Sequence, residues 1–330
     1  MRPTQPASAP TAESAPFATA EWSLLAIISI IWGSAFLWTV IALEHLSAEA
    51  VAFLRLALGA AALAVFPSAR RRIARVDWPK LLIVAFAGNA GPALLFAIAL
   101  KTVDSAVAGM AVSATPLASL LVWIFLYRRL PAGIQLLGLA IGFAGVALMA
   151  APNLIGVDAA PAGIAMLALA TLGYGVTQNV IGSLQRKYGS VSVIFWALLV
   201  GSAGLLPLGV TGSPGSQVSA ASILAIVFLG VIATGVARSL AAALAGRVGA
   251  VRGSIHTYFI PVLAVMFGVT LHGEQLTPVE LAGLPVALAG GYLVTRRNAL
   301  ELRRVRRLPD SLARGGVRVA RQIYKRRFMS

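Results

Sequence analysis

Long apolar runs separated by short polar breaks extend through most of the chain. Each run holds about 17 to 25 residues, the length with which a helix crosses the hydrocarbon core of a bilayer. Because a spanning segment must satisfy its own backbone hydrogen bonds, these runs predict helices. The pattern predicts ten of them, at 22–43, 50–66, 81–100, 106–127, 134–150, 162–184, 191–210, 221–244, 253–271 and 279–295.

One pair of these helices occurs twice. Residues 105–150 align without a gap on residues 250–295, and eight positions coincide. The most informative matches are a proline pair and two glycine pairs: Pro116 with Pro261, Gly138 with Gly283, and Gly145 with Gly290. Five helices in each half is an odd number, so the second half enters the membrane from the opposite side. The sequence predicts an all-α polytopic membrane protein of two inverted five-helix repeats.

Composition and charge agree with this architecture. The chain is 58% hydrophobic and 12% charged, whereas soluble domains carry roughly 25% charged residues. In a soluble protein the net charge of +16 would suggest nucleic acid; here it indicates topology, because basic residues gather on the cytoplasmic side. The predicted outer segments hold a single basic residue, Lys101. We therefore expect a cytoplasmic (inner) membrane protein with both termini in the cytoplasm and no nucleic-acid partner.

Four regions follow from the composition. Residues 1–20 are rich in Pro, Ala, Ser and Thr and are predicted to be disordered. The first repeat is placed at 21–151 and the second at 152–297. Residues 298–330 form a strongly basic cytoplasmic tail. This tail is expected either to lie against anionic lipid headgroups or to stay solvated and set the orientation of the chain.

The residue inventory argues against enzyme chemistry. Cysteine is absent, and the chain holds three histidines and 11 acids. No acid lies well inside a predicted span. A nucleophile paired with a base, or a cluster of metal ligands, is therefore not found. The sequence predicts no enzyme, no metal and no cofactor.

Several short motifs resemble those of EamA-type members of the drug/metabolite transporter superfamily. They are Ile31-Trp32-Gly33-Ser34, Arg55 early in the second helix, Thr115-Pro116, and the Gly-Glu-Gln-Leu-Thr-Pro turn at 273–278. One departure is Tyr127-Arg128-Arg129-Leu130, where the family commonly shows Gly-Glu-Arg-Leu. The resemblance covers residues 22–296. It implies a ten-helix basket with a central cavity between the halves, and export of small polar metabolites, with an amino-acid exporter branch the most similar.

A solute path needs polar or aromatic side chains at mid-depth in the membrane. The candidates for cargo binding are Trp32, Asn89, Ser113, Tyr174, Gln178, Asn179, His256 and Tyr258. Both halves place an aromatic before a glycine, as Trp32-Gly33 and Tyr174-Gly175, and Asn89 matches Thr234 by repeat. For each candidate the alternative is an interhelical hydrogen bond or ordinary packing.

Other in-span residues have competing structural and functional interpretations. Pro116 and Pro261 are candidate hinges for alternating access, or they simply shape the cavity. His256 is the candidate for proton coupling, against a packing role. Arg55 and Arg238 are expected to be structural, with a carboxylate cargo as the alternative for Arg55. Small residues in the fifth and tenth helices indicate close packing, at the crossing of the repeats or at a homodimer contact: Gly138, Gly142, Gly145, Gly283, Ala287 and Gly290.

The sequence thus predicts an exporter of small metabolites, foremost aromatic or other neutral amino acids, working by alternating access. The alternatives are a carrier of another cargo class (a drug, a sugar conjugate or a lipid) and a membrane scaffold that does not transport. Because no carboxylate lies well inside a span, facilitated export is favoured over proton antiport through an acidic residue.

Overall fold

The computed structural model describes residues 19–128, 133–152, 160–211, 219–248 and 256–295, and within these ranges it contains no strand. The predicted basic tail and nearly all of the predicted disordered segment lie outside the described residues. The described helices are α1 (Thr19–Leu43), α2 (Ala48–Ala64), α3 (Trp78–Ala85, a π-helical turn Phe86–Ala90, then Gly91–Ala99), α4 (Ser105–Ala111, a 3-10 turn Val112–Ala114, then Thr115–Tyr127), α5 (Gly133–Ala150), α6 (Ala160–Tyr188), α7 (Ser190–Thr211), α8 (Ala220–Val227, a π-helical stretch Phe228–Val236, then Ala237–Val248), α9 (His256–His272) and α10 (Pro278–Thr295). Two short 3-10 turns, Pro67–Arg70 and Arg75–Asp77, connect α2 to α3.

The helices are suited to a membrane by length and composition. Six described segments are long and apolar enough to cross one: Thr19–Leu43, Arg75–Ala99, Ser105–Leu126, Pro161–Tyr188, Ser190–Thr211 and Ala220–Ala241. Parts of α5, α9 and α10 are shorter apolar helices. Large apolar side chains such as Leu169 and Leu224 lie exposed on the outside of the bundle, where lipid would cover them. The protein is therefore multi-pass, while the crossing of all ten helices stays a prediction.

The two halves pack against each other in a symmetric pattern. Three contacts between helices occur in matched pairs. The contact of α1 with α9 matches that of α6 with α4, the contact of α2 with α8 matches that of α7 with α3, and the contact of α1 with α8 matches that of α6 with α3. Exchanging α1–α5 for α6–α10 converts the first contact of each pair into the second. α2 with α7 and α5 with α10 are their own counterparts. This exchange is what an inverted repeat with an internal two-fold axis produces.

The small-residue faces of α5 and α10 lie against each other. Gly142 in α5 contacts the backbone of Gly290 in α10, and Gly145 contacts the backbone of Ala287. A β-carbon at Gly145 or Gly290 would overlap with backbone atoms of the opposite helix, so these glycines permit the close crossing. These glycines therefore serve the contact between the two repeats. A homodimer contact remains a prediction.

The two matched prolines have different local structures. In α4 the 3-10 turn Val112–Ala114 comes immediately before the segment that contains Pro116. Proline lacks the N–H that would donate to the carbonyl four residues back, which accounts for the break. Pro261 lies inside α9, which is a continuous α-helix from His256 to His272. The hinge role of both prolines stays a prediction.

Candidate cargo cavity

A cavity of about 180 Å³ lies between the two halves. Residues of α1, α2, α3, α4, α6, α8 and α9 contribute to its wall. The polar members are Trp32, Thr39, Arg55, Asn89, Thr115, Tyr174, Gln178, Thr234 and Arg238. The apolar members are Ala35, Phe36, Leu56, Pro92, Ala93, Phe96, Val112 and Ile260. A single cavity thus gathers polar, cationic and aromatic side chains at the junction of the repeats.

Asn89 and Thr234 occupy equivalent positions in the two halves. Asn89 lies in the π-helical turn of α3, and Thr234 lies in the π-helical stretch of α8. A π-turn disturbs the regular helical hydrogen bonds and often marks a functional position. In both cases the side chain donates to the carbonyl five residues back, Asn89 Nδ2 to Val84 O at 2.7 Å and Thr234 Oγ1 to Leu229 O at 2.8 Å. The two positions that the repeat alignment matches therefore share the same local backbone structure and the same type of hydrogen bond.

Two arginines reach the same cavity. Arg55 comes from α2, and its Nε donates to Thr234 Oγ1 at 3.0 Å. Arg238 comes from α8, one helical turn after Thr234, and also lines the cavity. The wall contains no aspartate or glutamate among the described residues. The electrostatic character of the cavity is therefore positive.

Aromatic rings form the rest of the wall. Phe36 and Phe96 have ring centroids 5.5 Å apart, and Phe96 stacks on Tyr174 at 6.1 Å. The indole Nε1 of Trp32 donates to Ala233 O at 2.7 Å, which fixes that ring. His256 is buried behind Trp32, with ring centroids 5.0 Å apart. These contacts hold the rings in defined positions.

The glycine after each matched aromatic explains why the pattern occurs twice. Gly33 in α1 packs so closely on α9 that a β-carbon would lie 2.5 Å from the β-carbon of Leu263. Gly175 in α6 packs on α4, where a β-carbon would lie 2.6 Å from the carbonyl carbon of Ala118. Each glycine thus brings an aromatic helix against the proline helix of the other half. The aromatic next to it is carried into the cavity wall.

The candidates from the sequence divide into three groups. Trp32, Asn89, Tyr174 and Gln178 lie on the cavity wall. His256 lies behind Trp32, Ser113 is buried in the 3-10 turn of α4 but is not part of the wall, and Asn179 ties α6 to α4 by donating to Ser119 O at 3.0 Å. The side chain of Tyr258 lies outside the described part of the structure.

Five polar members of the wall were not among the sequence candidates for cargo binding: Thr39, Arg55, Thr115, Thr234 and Arg238. The sequence favours a structural role for Arg55 and Arg238, with a carboxylate cargo as the alternative for Arg55; the structure places both on the cavity. Thr115 also faces it and precedes Pro116. The sequence held one signal for Arg238. It follows Thr234 by four residues and so lies on the same helix face as the repeat equivalent of Asn89.

Polar contacts join the halves at each end of the bundle. At one end the Glu274 carboxylate accepts from the backbone N–H of Ser105 and of Ala106, both at 2.9 Å. The backbone N–H groups at the first turn of a helix lack partners within it, and Glu274 therefore caps α4. At the other end Asp77 Oδ2 accepts from Lys187 Nζ at 2.6 Å and from the Tyr188 hydroxyl at 2.7 Å.

Carboxylates cluster beside the cap. Partial desolvation, together with the charges of Glu274 and Glu280, raises the pKa of Asp104 above its ordinary value. Asp104 is exposed and precedes α4 without capping it through its side chain. Within the described ranges no group of three or more His, Asp or Glu residues is arranged to hold a metal ion.

A second cavity, of about 260 Å³, lies among α4, α5 and α6. Its wall is almost wholly apolar and includes Leu117, Phe143, Met149 and Leu167. Thr171 is its one polar residue among those described, and its hydroxyl donates to Leu167 O within α6. This cavity offers no group that would recognise a polar cargo.

Fold and cavity together define a helical membrane protein with a polar chamber between two inverted halves. Comparison with known proteins assigns the family. The sequence profile of the EamA-like transporter family matches residues 21–151 and 161–296. The chain therefore belongs to the EamA-like transporter family, and it is a membrane transporter.

Individual relatives agree with this assignment. An uncharacterized transporter of Archaeoglobus fulgidus is 28% identical over 84% of this chain and 99% of its own length. A probable terminal-alkyne amino-acid exporter of Streptantibioticus cattleyicolor is 25% identical over 84% of this chain and 94% of its own length. One protein known from a crystal structure shares the fold, with a TM-score of 0.60 and 17% identity over 88% of this chain and 99% of its own.

Proposed function

We propose that this transporter exports small metabolites, foremost amino acids, by alternating access through the central cavity. The cavity carries the proposal, because it is formed jointly by both repeats at the place where a rocking motion would open and close it. Its wall offers hydrogen-bonding side chains beside aromatic rings. At about 180 Å³, it suits a small metabolite better than a drug-sized ligand, whose sites span roughly 300 to 1,000 Å³.

Two polar atoms of the wall support binding of a polar cargo. Asn89 Oδ1 and Thr115 Oγ1 are buried, and neither has a hydrogen-bond partner among the described residues. Buried polar atoms are nearly always paired in folded proteins, so these two are available to a bound solute. The amino-acid assignment rests on this chemistry and on the name of the Streptantibioticus relative.

The distribution of charged residues supports an orientation in the membrane. Arg70, Arg71, Arg72 and Arg75 lie in the α2–α3 connection, which joins Lys187 through Asp77. Asp104 and Glu274 lie at the opposite end. Because basic residues mark the cytoplasmic side, we propose that the α2–α3 connection and both termini face the cytoplasm. We further propose that the basic tail lies against anionic lipid headgroups.

The proposal is tested by counterflow of radiolabelled amino acids in proteoliposomes. Gln178→Ala removes a polar side chain from the cavity and should abolish most uptake. Gln185→Ala is the matched control, since it lies two turns further along α6 and is absent from the cavity wall. Equal uptake by both variants would disconnect the cavity from transport. Absence of uptake for every amino acid in the wild type would refute the amino-acid cargo.

The energy source is tested with the same preparation. We propose facilitated export, because the described cavity wall carries no carboxylate to exchange a proton. Flux of an amino acid down its gradient should then persist when the pH is equal on both sides. If flux required a proton gradient, His256 beside Trp32 would become the group to examine.

The alternative cargo class is an apolar molecule such as a drug or lipid. The apolar cavity among α4, α5 and α6 is the observation that favours it. Leu167→Gln would place a polar group in that cavity. A loss of transport in this variant, with Gln178→Ala unaffected, would favour the apolar path over the central cavity.

A further inference from the structure

Two guanidinium groups face one small cavity in the middle of the bundle. Arg55 and Arg238 come from opposite halves of the protein and both line the cavity between the halves. Their like charges repel each other. A charged side chain at membrane depth is costly, and such residues usually pair with an opposite charge or serve a transport path.

No opposite charge in the described structure compensates this pair. The cavity wall contains no described acid, and the one salt bridge within the described residues joins Lys187 to Asp77 at the end of the bundle. The Tyr174 side chain lines the same cavity as both guanidinium groups. A bound anion would therefore relieve the repulsion between the arginines.

The hydrogen bonds orient Arg55 for such a ligand. Its Nε donates to Thr234 Oγ1, and the same hydroxyl donates onward to Leu229 O. Thr234 thus holds the guanidinium through its Nε and does not engage the two terminal nitrogens. No described residue accepts from the two terminal nitrogens of Arg55, Nη1 and Nη2, or from the guanidinium of Arg238. These planar donors match the two oxygens of a carboxylate.

We propose that Arg55 and Arg238 form the site that binds the carboxylate of the cargo. This inference rests on the proposed function, and it narrows the cargo to small organic acids, amino acids among them. The rings of Phe36, Phe96 and Tyr174 line the same cavity and would receive an apolar or aromatic remainder of the molecule. The cargo therefore needs a carboxylate and does not need an amino group.

The test compares two probes that share a phenyl ring and differ in charge. 3-Phenylpropionate carries the carboxylate alone, and 2-phenylethylamine carries the amino group alone. Their affinities for the purified full-length protein in detergent are measured by calorimetric titration. Because a hydrogen bond to a charged group contributes about 1.5 to 3 kcal/mol, 3-phenylpropionate should bind at least about tenfold more tightly. Equal affinities, or tighter binding of the amine, would overturn the proposal.

Variants assign the binding to the arginines. Arg55→Gln and Arg238→Gln should each weaken 3-phenylpropionate binding about tenfold or more. Arg72→Gln is the matched control, because it removes the same charge from an exposed position outside the cavity, and it should bind as the wild type does. If Arg55→Gln or Arg238→Gln bound 3-phenylpropionate as tightly as the wild type, the substituted arginine would not belong to the site. Arg55→Lys and Arg238→Lys keep the charge and lose the planar donors, so intermediate affinities are expected even if the glutamine variants fail to fold.

Counterflow of radiolabelled phenylalanine separates this inference from the proposed function. Carboxylate binding that depends on the arginines, without counterflow, would leave the anion site standing and refute amino-acid transport. Counterflow that persists at the wild-type rate in both lysine variants and the folded glutamine variants would leave transport standing and refute the anion site.

Discussion

The Glu274 cap is open to a direct measurement of its contribution to stability. Oε1 accepts from the N–H and the hydroxyl of Ser105, at 2.9 and 2.5 Å, and Oε2 accepts from the N–H of Ala106 at 2.9 Å. Both capped residues are buried, with 1% and 0% exposure. In Glu274→Gln an amide NH₂ replaces one carboxylate oxygen. If the amide oxygen keeps Ser105, the NH₂ faces the N–H of Ala106, and two donors then oppose each other.

The cost follows from those contacts. A buried donor left without an acceptor costs about 1–3 kcal/mol, and loss of a negative charge at a helix N-terminus costs about 0.3–1 kcal/mol. Glu274 is partly exposed, so water offsets some of this loss. We expect Glu274→Gln to lower the free energy of unfolding by about 1–3 kcal/mol.

Chemical denaturation in detergent, followed by circular dichroism, measures this difference. Gln275→Ala is the control, since Gln275 is the exposed neighbour in the same turn, and it should change stability by less than about 0.5 kcal/mol. Gly268→Ala tests the cap independently, because a β-carbon there would collide with the Glu274 carboxylate and should also destabilise. A Glu274→Gln protein as stable as the wild type would show that the cap does not hold α4 to the second repeat.

Three further outcomes are expected. Thr234→Val removes the hydroxyl that orients Arg55 and should weaken 3-phenylpropionate binding several-fold in calorimetry, with unchanged affinity as the contrary result. Asp104→Asn should stabilise the protein at neutral pH. Because the pKa of Asp104 is raised in the folded protein, the folded state binds more protons than the unfolded state. The stability of the wild type therefore falls as the pH rises from the unfolded-state pKa of about 3.9 through the higher folded-state pKa. Denaturation at several pH values should show the gain of the variant vanish in acid, and a gain independent of pH would contradict this linkage. Gly145→Leu inserts a side chain where α5 meets Ala287 of α10 and should lower the melting temperature through overpacking of about 1–3 kcal/mol or more, whereas Gly133→Leu, with open space around it, should change it little.

The architecture was predictable because the membrane imposes it on the sequence. A helix that crosses lipid must be long and apolar, and the prolines and glycines that match at a constant offset reveal the duplication from the sequence alone. The same alignment matched Asn89 with Thr234, and the structure gives both positions a π-helical segment and the same bond to a carbonyl. The glycine faces of α5 and α10 likewise indicated a close crossing, which the backbone contact between Gly142 and Gly290 provides.

The sequence by itself determined the class of protein, the helices and the pairing of the two halves. Only the tertiary structure decided which face of each helix points inward. A helix that is apolar all round does not encode its rotation about its own axis, because lipid accepts any apolar face. For that reason Asn179, next to Gln178, turned out to tie α6 to α4, and His256 turned out to lie behind Trp32. Arg55 and Arg238, far apart in the chain, came to share one cavity because the inverted halves pack against each other there.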